Sequence, residues 1–357
     1  MPRHQIFLVH GMGEFEPGWS DGIVQQLGGL FDSYPVLKEE GWREFFEFKE
    51  LRYDQVFEAW RQQWRDDAAS VAGTLTQLKL DSGAARHLVD AARAPTGNSF
   101  WQTHVLDVVG YRYMLAVAQE VWRELQTQMP AHLQSFPRPP DSSVIAPSLG
   151  SAVAYEALHA MISATPSLPS GQRPVHFLAV SNTARLLWNR TADVYDKKVG
   201  PSVTDHQGLC NHFMNLRHEL DPVCQVQSFH PPAPRWFSEP STAERVYTDV
   251  LLPAADISSQ QPNIHSMEHY LSHPLVHVPL LRRLAGADSV ISTRQANQAL
   301  DEWREGRLLD QKAATWQQQL KNLAAGESTG FASELRMLIG LRELLASLPG
   351  RKADGES

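Results

Sequence analysis

The stretch Ser142-Ser143-Val144-Ile145-Ala146-Pro147-Ser148-Leu149-Gly150-Ser151-Ala152-Val153-Ala154-Tyr155-Glu156-Ala157-Leu158 constrains the chain most. Val144 and Ile145 form a β-type run that leads to a serine. Small residues follow, and then Leu149, Val153, Ala157 and Leu158 recur at helical spacing. The pattern predicts a strand, a sharp turn and a helix, with one hydroxyl at the bend. Such a bend exposes the Ser148 oxygen and sets it at the positive end of a helix. Ser148 is therefore the expected nucleophile, and the other segments are read by what they bring to it.

Upstream, Ile6 to Val9 is a continuous apolar run of the kind buried in a parallel sheet, broken by His10-Gly11-Met12-Gly13. Ile23, Leu27 and Leu30 mark a helix within 17–31, and Phe45 to Leu51 reads as the next strand. Val105 to Met129 reads as one long amphipathic helix. Downstream, strands are expected over Val175–Val180, His212–Leu216 and Arg245–Leu252, with helices starting near Met267 and Thr293. Alternating strands and helices imply an α/β class, a mostly parallel sheet flanked by helices.

With 357 residues, of which 42% are hydrophobic, the chain can bury a large core. An α/β domain is expected over 1–287, with a helical insertion or lid at about 54–102. Residues 288–350 read as a helical extension ending in a hairpin, and 351–357 as a frayed tail. The hairpin's apolar stripe either packs on the domain or serves an oligomer or partner contact. No run approaches a membrane span, and Ile6–Val9 is too short for a signal-peptide core. Two cysteines, Cys210 and Cys224, make neither a disulfide framework nor a zinc spacing, so a reduced cytoplasm is the expected home. The net charge of −8 argues against nucleic acid as a partner.

A serine attacks only when a base removes its proton, a carboxylate orients the base, and donors await the oxyanion. Ile6-Phe7-Leu8-Val9-His10-Gly11 resembles the strand and oxyanion loop of α/β-hydrolases. Ile145-Ala146-Pro147-Ser148-Leu149-Gly150-Ser151 resembles their nucleophile elbow, and Leu220-Asp221-Pro222-Val223 their acid loop. Asn263-Ile264-His265-Ser266 is similar to the histidine loop of lipase- and esterase-like members, and the order Ser, Asp, His is that of the fold. The resemblance spans roughly residues 5 to 285 and leaves out the C-terminal helices.

That resemblance implies Ser148 as nucleophile, Asp221 as orienting acid and His265 as base. The amides of Met12 and Leu149 would form the oxyanion hole, with His10 and Gly11 shaping its loop. No metal or other cofactor is implied. The elbow departs from Gly-x-Ser-x-Gly: Ala146 replaces the first glycine, and Pro147 precedes the serine. Proline holds Ala146 in extended dihedrals, which suits a strand end.

Plainer uses stand beside these roles. Asp221 before Pro222 is a common turn residue, and Asp205, Glu219 and Asp256 are rival acids. His265, His269, His273 and His277 recur every four residues, as on one helix face; His269 is the second choice of base. Such a row can share a metal, but no carboxylate-rich partner motif accompanies it. Phe57, Trp60, Trp64 and Trp101 suit either core packing or an apolar acyl site. The expected activity is cleavage of a small-molecule or lipid carboxylic ester through an acyl-enzyme. The alternatives are a non-catalytic binding protein on the same fold and a lipase effector exported by a specialised route.

Overall fold

A computed structural model describes residues 4–63, 66, 107–108, 110–112, 114–134, 141–164, 174–185, 187, 200–202, 208–221, 224, 228–231, 246–253, 265–285 and 290–305. Most of the expected insertion, the hairpin beyond residue 305, the tail, Trp64, Trp101, Asp205 and Asp256 lie outside the described residues.

Six strands form one sheet: β1 (His4–Val9), β2 (Phe46–Leu51), β3 (Asp141–Pro147), β4 (His176–Val180), β5 (His212–His218) and β6 (Tyr247–Leu252). Their order is β2-β1-β3-β4-β5-β6, and every pairing is parallel. A parallel strand buried on both faces has no polar side to show, which is why Ile6–Val9 in β1, Val144–Pro147 in β3 and Phe177–Val180 in β4 are unbroken apolar runs. Phe7, Val9, Val144, Ala146, Phe177, Ala179 and Phe213 belong to the core on one face. Ile6, Leu8, Ile145, Leu178, Val180, Met214 and Leu216 belong to the core on the other.

Eight helices are described. They are α1 (Asp21–Phe31), α2 (Pro35–Glu40), α3 (Trp42–Phe45), α4 (Leu115–Gln134), α5 (Leu149–Ala164), α6 (Met267–Ser272), α7 (Pro274–Leu284) and α8 (Thr293–Glu305). α4 and α5 supply the core shared with Phe7, and α1, α6 and α7 that shared with Ile6. The single helix expected over 105–129 is interrupted. Residues 107–108 and 110–112 are helical, Met114 is not, and α4 then runs five residues past the expected end, with Pro130 inside it. Among the described residues, no helix is long and apolar enough to cross a membrane.

The strand order fixes where a ligand can enter. The chain leaves β1 towards β2 on one side and leaves β3 towards β4 on the other. Connections that part in this way open a crevice at the carboxyl ends of the two strands, the usual binding place in open parallel sheets. His10-Gly11 follows β1 and Ser148 follows β3, so both border that crevice.

Candidate active site

β3 ends at Pro147 and α5 begins at Leu149, so Ser148 alone makes the bend. It does so at φ 49°, in the left-handed region that costs an ordinary residue about 1–2 kcal/mol. Three acceptances and one donation hold it there. Its carbonyl accepts from the Ser151 amide (2.9 Å), Ser151 Oγ (2.6 Å) and Thr183 Oγ1 (2.7 Å), and its amide donates to the Val180 carbonyl at 2.9 Å. Leu149 stands at the first helical position, where an amide has no acceptor within its own helix.

The loop after β1 presses against this bend. A Cβ built on Gly11 would lie 3.6 Å from Ser148 Cβ and 3.6 Å from the Pro147 carbonyl oxygen. A Cβ on Gly150 would lie 2.1 Å from the His10 carbonyl oxygen, which excludes any side chain there. Ala146, which replaces the expected first glycine, is fully buried in the core. Met12 is partly buried beside the same core.

β5 and the loop after β6 deliver the other two groups. Asp221 is fully buried, and both its carboxylate oxygens lie 3.1 Å from His265 Nδ1. The Tyr270 hydroxyl donates to Asp221 Oδ2 at 2.8 Å. Ser181 Oγ lies 3.1 Å from His265 Nδ1 and also hydrogen-bonds the Asp221 carboxyl. Burial opposes the charge on Asp221, but the facing His265 and the hydrogen bonds from His265, Ser181 and Tyr270 hold its carboxyl below the ordinary value. A carboxylate can only accept, so Nδ1 carries a proton and Nε2 of the neutral ring is left as the basic nitrogen. Burial pushes the nearby Cys224 thiol up to about 12, which leaves it a neutral packing group.

Ser148 and Leu149 thus follow β3 with the His10–Gly11 loop packed against their bend, and the Asp221–His265 pair lies beyond β5 and β6. No hydrogen bond joins Ser148 Oγ to His265 or to another described residue. Their nearness rests on register. Pro147 pairs with Val180, so Ser148 and Ser181 continue neighbouring strands about 4.8 Å apart, and Ser181 contacts the His265 ring.

The other three histidines of the C-terminal row are held within the helices or at a helix cap. The row at 265, 269, 273 and 277 does not occupy one helix face, because the helix breaks at His273. That ring caps α7 by accepting from the Leu275 amide at 3.1 Å, and Pro274 follows. His269 is fully buried within α6. His277 bonds the Ser272 carbonyl and the Tyr34 hydroxyl. Among the described residues, no three His, Cys, Asp or Glu side chains are placed to hold a metal ion. Glu219 lies in the turn beside Asp221, and Asp221 rather than Glu219 faces His265. Phe57 is buried core, with Trp60 packed against it.

Ser181 and Tyr270 were not singled out by sequence. A serine directly after the apolar run His176–Val180 was the one available signal; Tyr270 had none. No protein-family model, no curated protein and no solved structure matches the chain.

Proposed function

We propose that the chain is a serine hydrolase of the α/β-hydrolase type that cleaves carboxylic esters through an acyl-enzyme. The observation that carries this reading is the buried Asp221 held 3.1 Å from His265 Nδ1, beside a serine in a left-handed bend at the sheet's switch point. His265 Nε2 takes the Ser148 proton as Oγ attacks the ester carbonyl. Asp221 holds the ring's tautomer and stabilises its charged form. The amides of Met12 and Leu149 receive the oxyanion. His265 then protonates the departing alcohol, and a water deprotonated by the same ring releases the acid from Ser148.

The strand order supports the same reading. The proposed nucleophile follows β3, the acid follows β5 and the base follows β6, the last described strand, in the chain order Ser, Asp, His expected of that fold. The test is labelling by a fluorophosphonate together with hydrolysis of p-nitrophenyl esters of several chain lengths. Wild type is expected to label and turn over, and folded Ser148→Ala to do neither. Undiminished labelling of Ser148→Ala would overturn the assignment.

A binding protein on the same scaffold is the second reading, favoured by the missing hydrogen bond from Ser148 Oγ to His265. Catalytic hydrogen bonds often form only with substrate in place. A folded wild type that neither labels nor hydrolyses any ester would favour the binding role.

A further inference from the structure

The Gly11–Met12 peptide is gripped from one side by two donors. Tyr53 Oη donates to the Gly11 carbonyl oxygen at 2.7 Å and also reaches the His10 carbonyl at 3.1 Å. His10 Nδ1 lies 2.9 Å from the same Gly11 oxygen. A carbonyl oxygen only accepts, so that ring nitrogen carries the proton, and both lone pairs of Gly11 O are engaged. The His10 ring is itself fixed. It is buried and stacked between Phe15 (centroids 4.4 Å) and Tyr53 (4.1 Å), and its Nε2 accepts from the Tyr53 amide at 3.1 Å. Asp54, the next residue, accepts from the Phe15 amide at 3.1 Å and ties down the far end of the loop.

A trans peptide is planar, with its C=O and N–H pointing in opposite directions. Whatever holds Gly11 O therefore also aims the Met12 N–H away from Tyr53 and His10. Donors on the oxygen also polarise the unit and make its N–H a stronger donor. A Cβ on Gly11 would meanwhile stand 3.6 Å from Ser148 Cβ, so the peptide lies beside the serine's bend. We infer that Tyr53 and His10 are positioning residues that clamp the Gly11–Met12 peptide, so that its amide is preset for the oxyanion formed at Ser148. The inference rests on the hydrolase reading above.

The test uses full-length Tyr53→Phe, which removes one donor and keeps the ring stack. Active sites are counted by fluorophosphonate burst titration, and kcat, KM and inhibition by an alkyl boronic acid, which forms a tetrahedral adduct with the serine, are measured. Loss of a whole oxyanion donor costs 10²–10³ in kcat, so a loosened one is expected to cost about tenfold, with KM within about twofold. Boronate affinity is expected to fall in parallel with kcat/KM, a change that mere loss of folded protein would not produce. Should Tyr53→Phe fail to fold by circular dichroism, Tyr53→Met, of similar bulk and without a donor, takes its place. Unchanged kcat and boronate affinity per titrated site, in an active wild-type background, would overturn the clamp alone. A wild type without labelling or turnover would overturn the hydrolase reading and the clamp with it.

Discussion

Ser148 and Ser181 are the two described non-glycine residues with positive φ, both at 49°, and they follow register partners on neighbouring strands. Backbone in this region persists only where its surroundings hold it, and it clusters at functional sites. Ser148 N is bonded to Val180 O and Ser181 N to Leu216 O, so each bend is pinned by the next strand along. One bend presents Ser148, the proposed nucleophile. The other turns its hydroxyl into the Asp221–His265 pair.

Replacing Ser181 separates strain from hydrogen bonding. Ser181→Gly removes the hydroxyl and relieves the left-handed bend, whereas Ser181→Ala removes the hydroxyl and keeps the strain. The glycine variant is expected to be more stable than the alanine variant by about 1 kcal/mol. Both should lose esterase kcat by a similar factor. Denaturant midpoints and kcat check this, and wild-type kcat in both variants would show that the Ser181 hydroxyl does not support the pair.

Asp221→Asn keeps the shape but removes the charge and permits the wrong His265 tautomer. On the proposed hydrolase reading, a loss of kcat on the order of 10⁴ is expected, as in known Ser-His-Asp enzymes. In the wild type Asp221 stays ionised below the ordinary carboxylate range, because the facing His265 and three donors outweigh its burial. Its stabilising contribution is therefore present above the unfolded carboxyl value and is lost as pH falls through the depressed folded one. The acid limb of kcat/KM should accordingly not move to the ordinary aspartate range. A limb near pH 4 that disappears in Asp221→Asn would contradict this.

Gly150→Ala must displace the His10 carbonyl, since the new methyl would sit 2.1 Å from it. Overpacking of this kind costs about 1–3 kcal/mol. Because His10 begins the proposed oxyanion loop, kcat should fall along with the melting temperature. A variant with unchanged melting temperature and kcat would show that helix α5 and the loop are not in this close contact.

Acid should destabilise the fold through buried histidines. Burial pushes His4 down to about 4, His277 to about 4 and His176 to about 2. The unfolded rings titrate near 6.5, so below that value the unfolded chain binds more protons and stability falls as pH falls. Each ring adds up to about 1.4 kcal/mol per pH unit, for His4 and His277 between about 6.5 and 4. His4→Gln, whose amide can still reach Ser143, should flatten the dependence of unfolding free energy on pH. An unchanged slope between pH 6.5 and 4.5 would refute the role of His4.

The sequence by itself determined the buried strands, the strand-turn-helix at Ser148 and the chain order Ser148, Asp221, His265. These are local matters: apolar runs, helical spacing and small residues at a bend act over a few residues. The spacing of four among the C-terminal histidines misled for the same reason. It suggests one helix face, whereas the His273 cap and Pro274 divide the segment into α6 and α7. Tertiary structure alone decided what surrounds the chemistry. Ser181 meets His265 across 84 residues, Tyr270 meets Asp221 across 49, and Tyr53 meets Gly11 across 42. Such contacts depend on strand order and register, which no local pattern encodes. Gly150 shows both halves at once. Its place after the serine is visible in the sequence, but the reason for a glycine there, the His10 carbonyl where a Cβ would stand, exists only once β1 and β3 lie side by side.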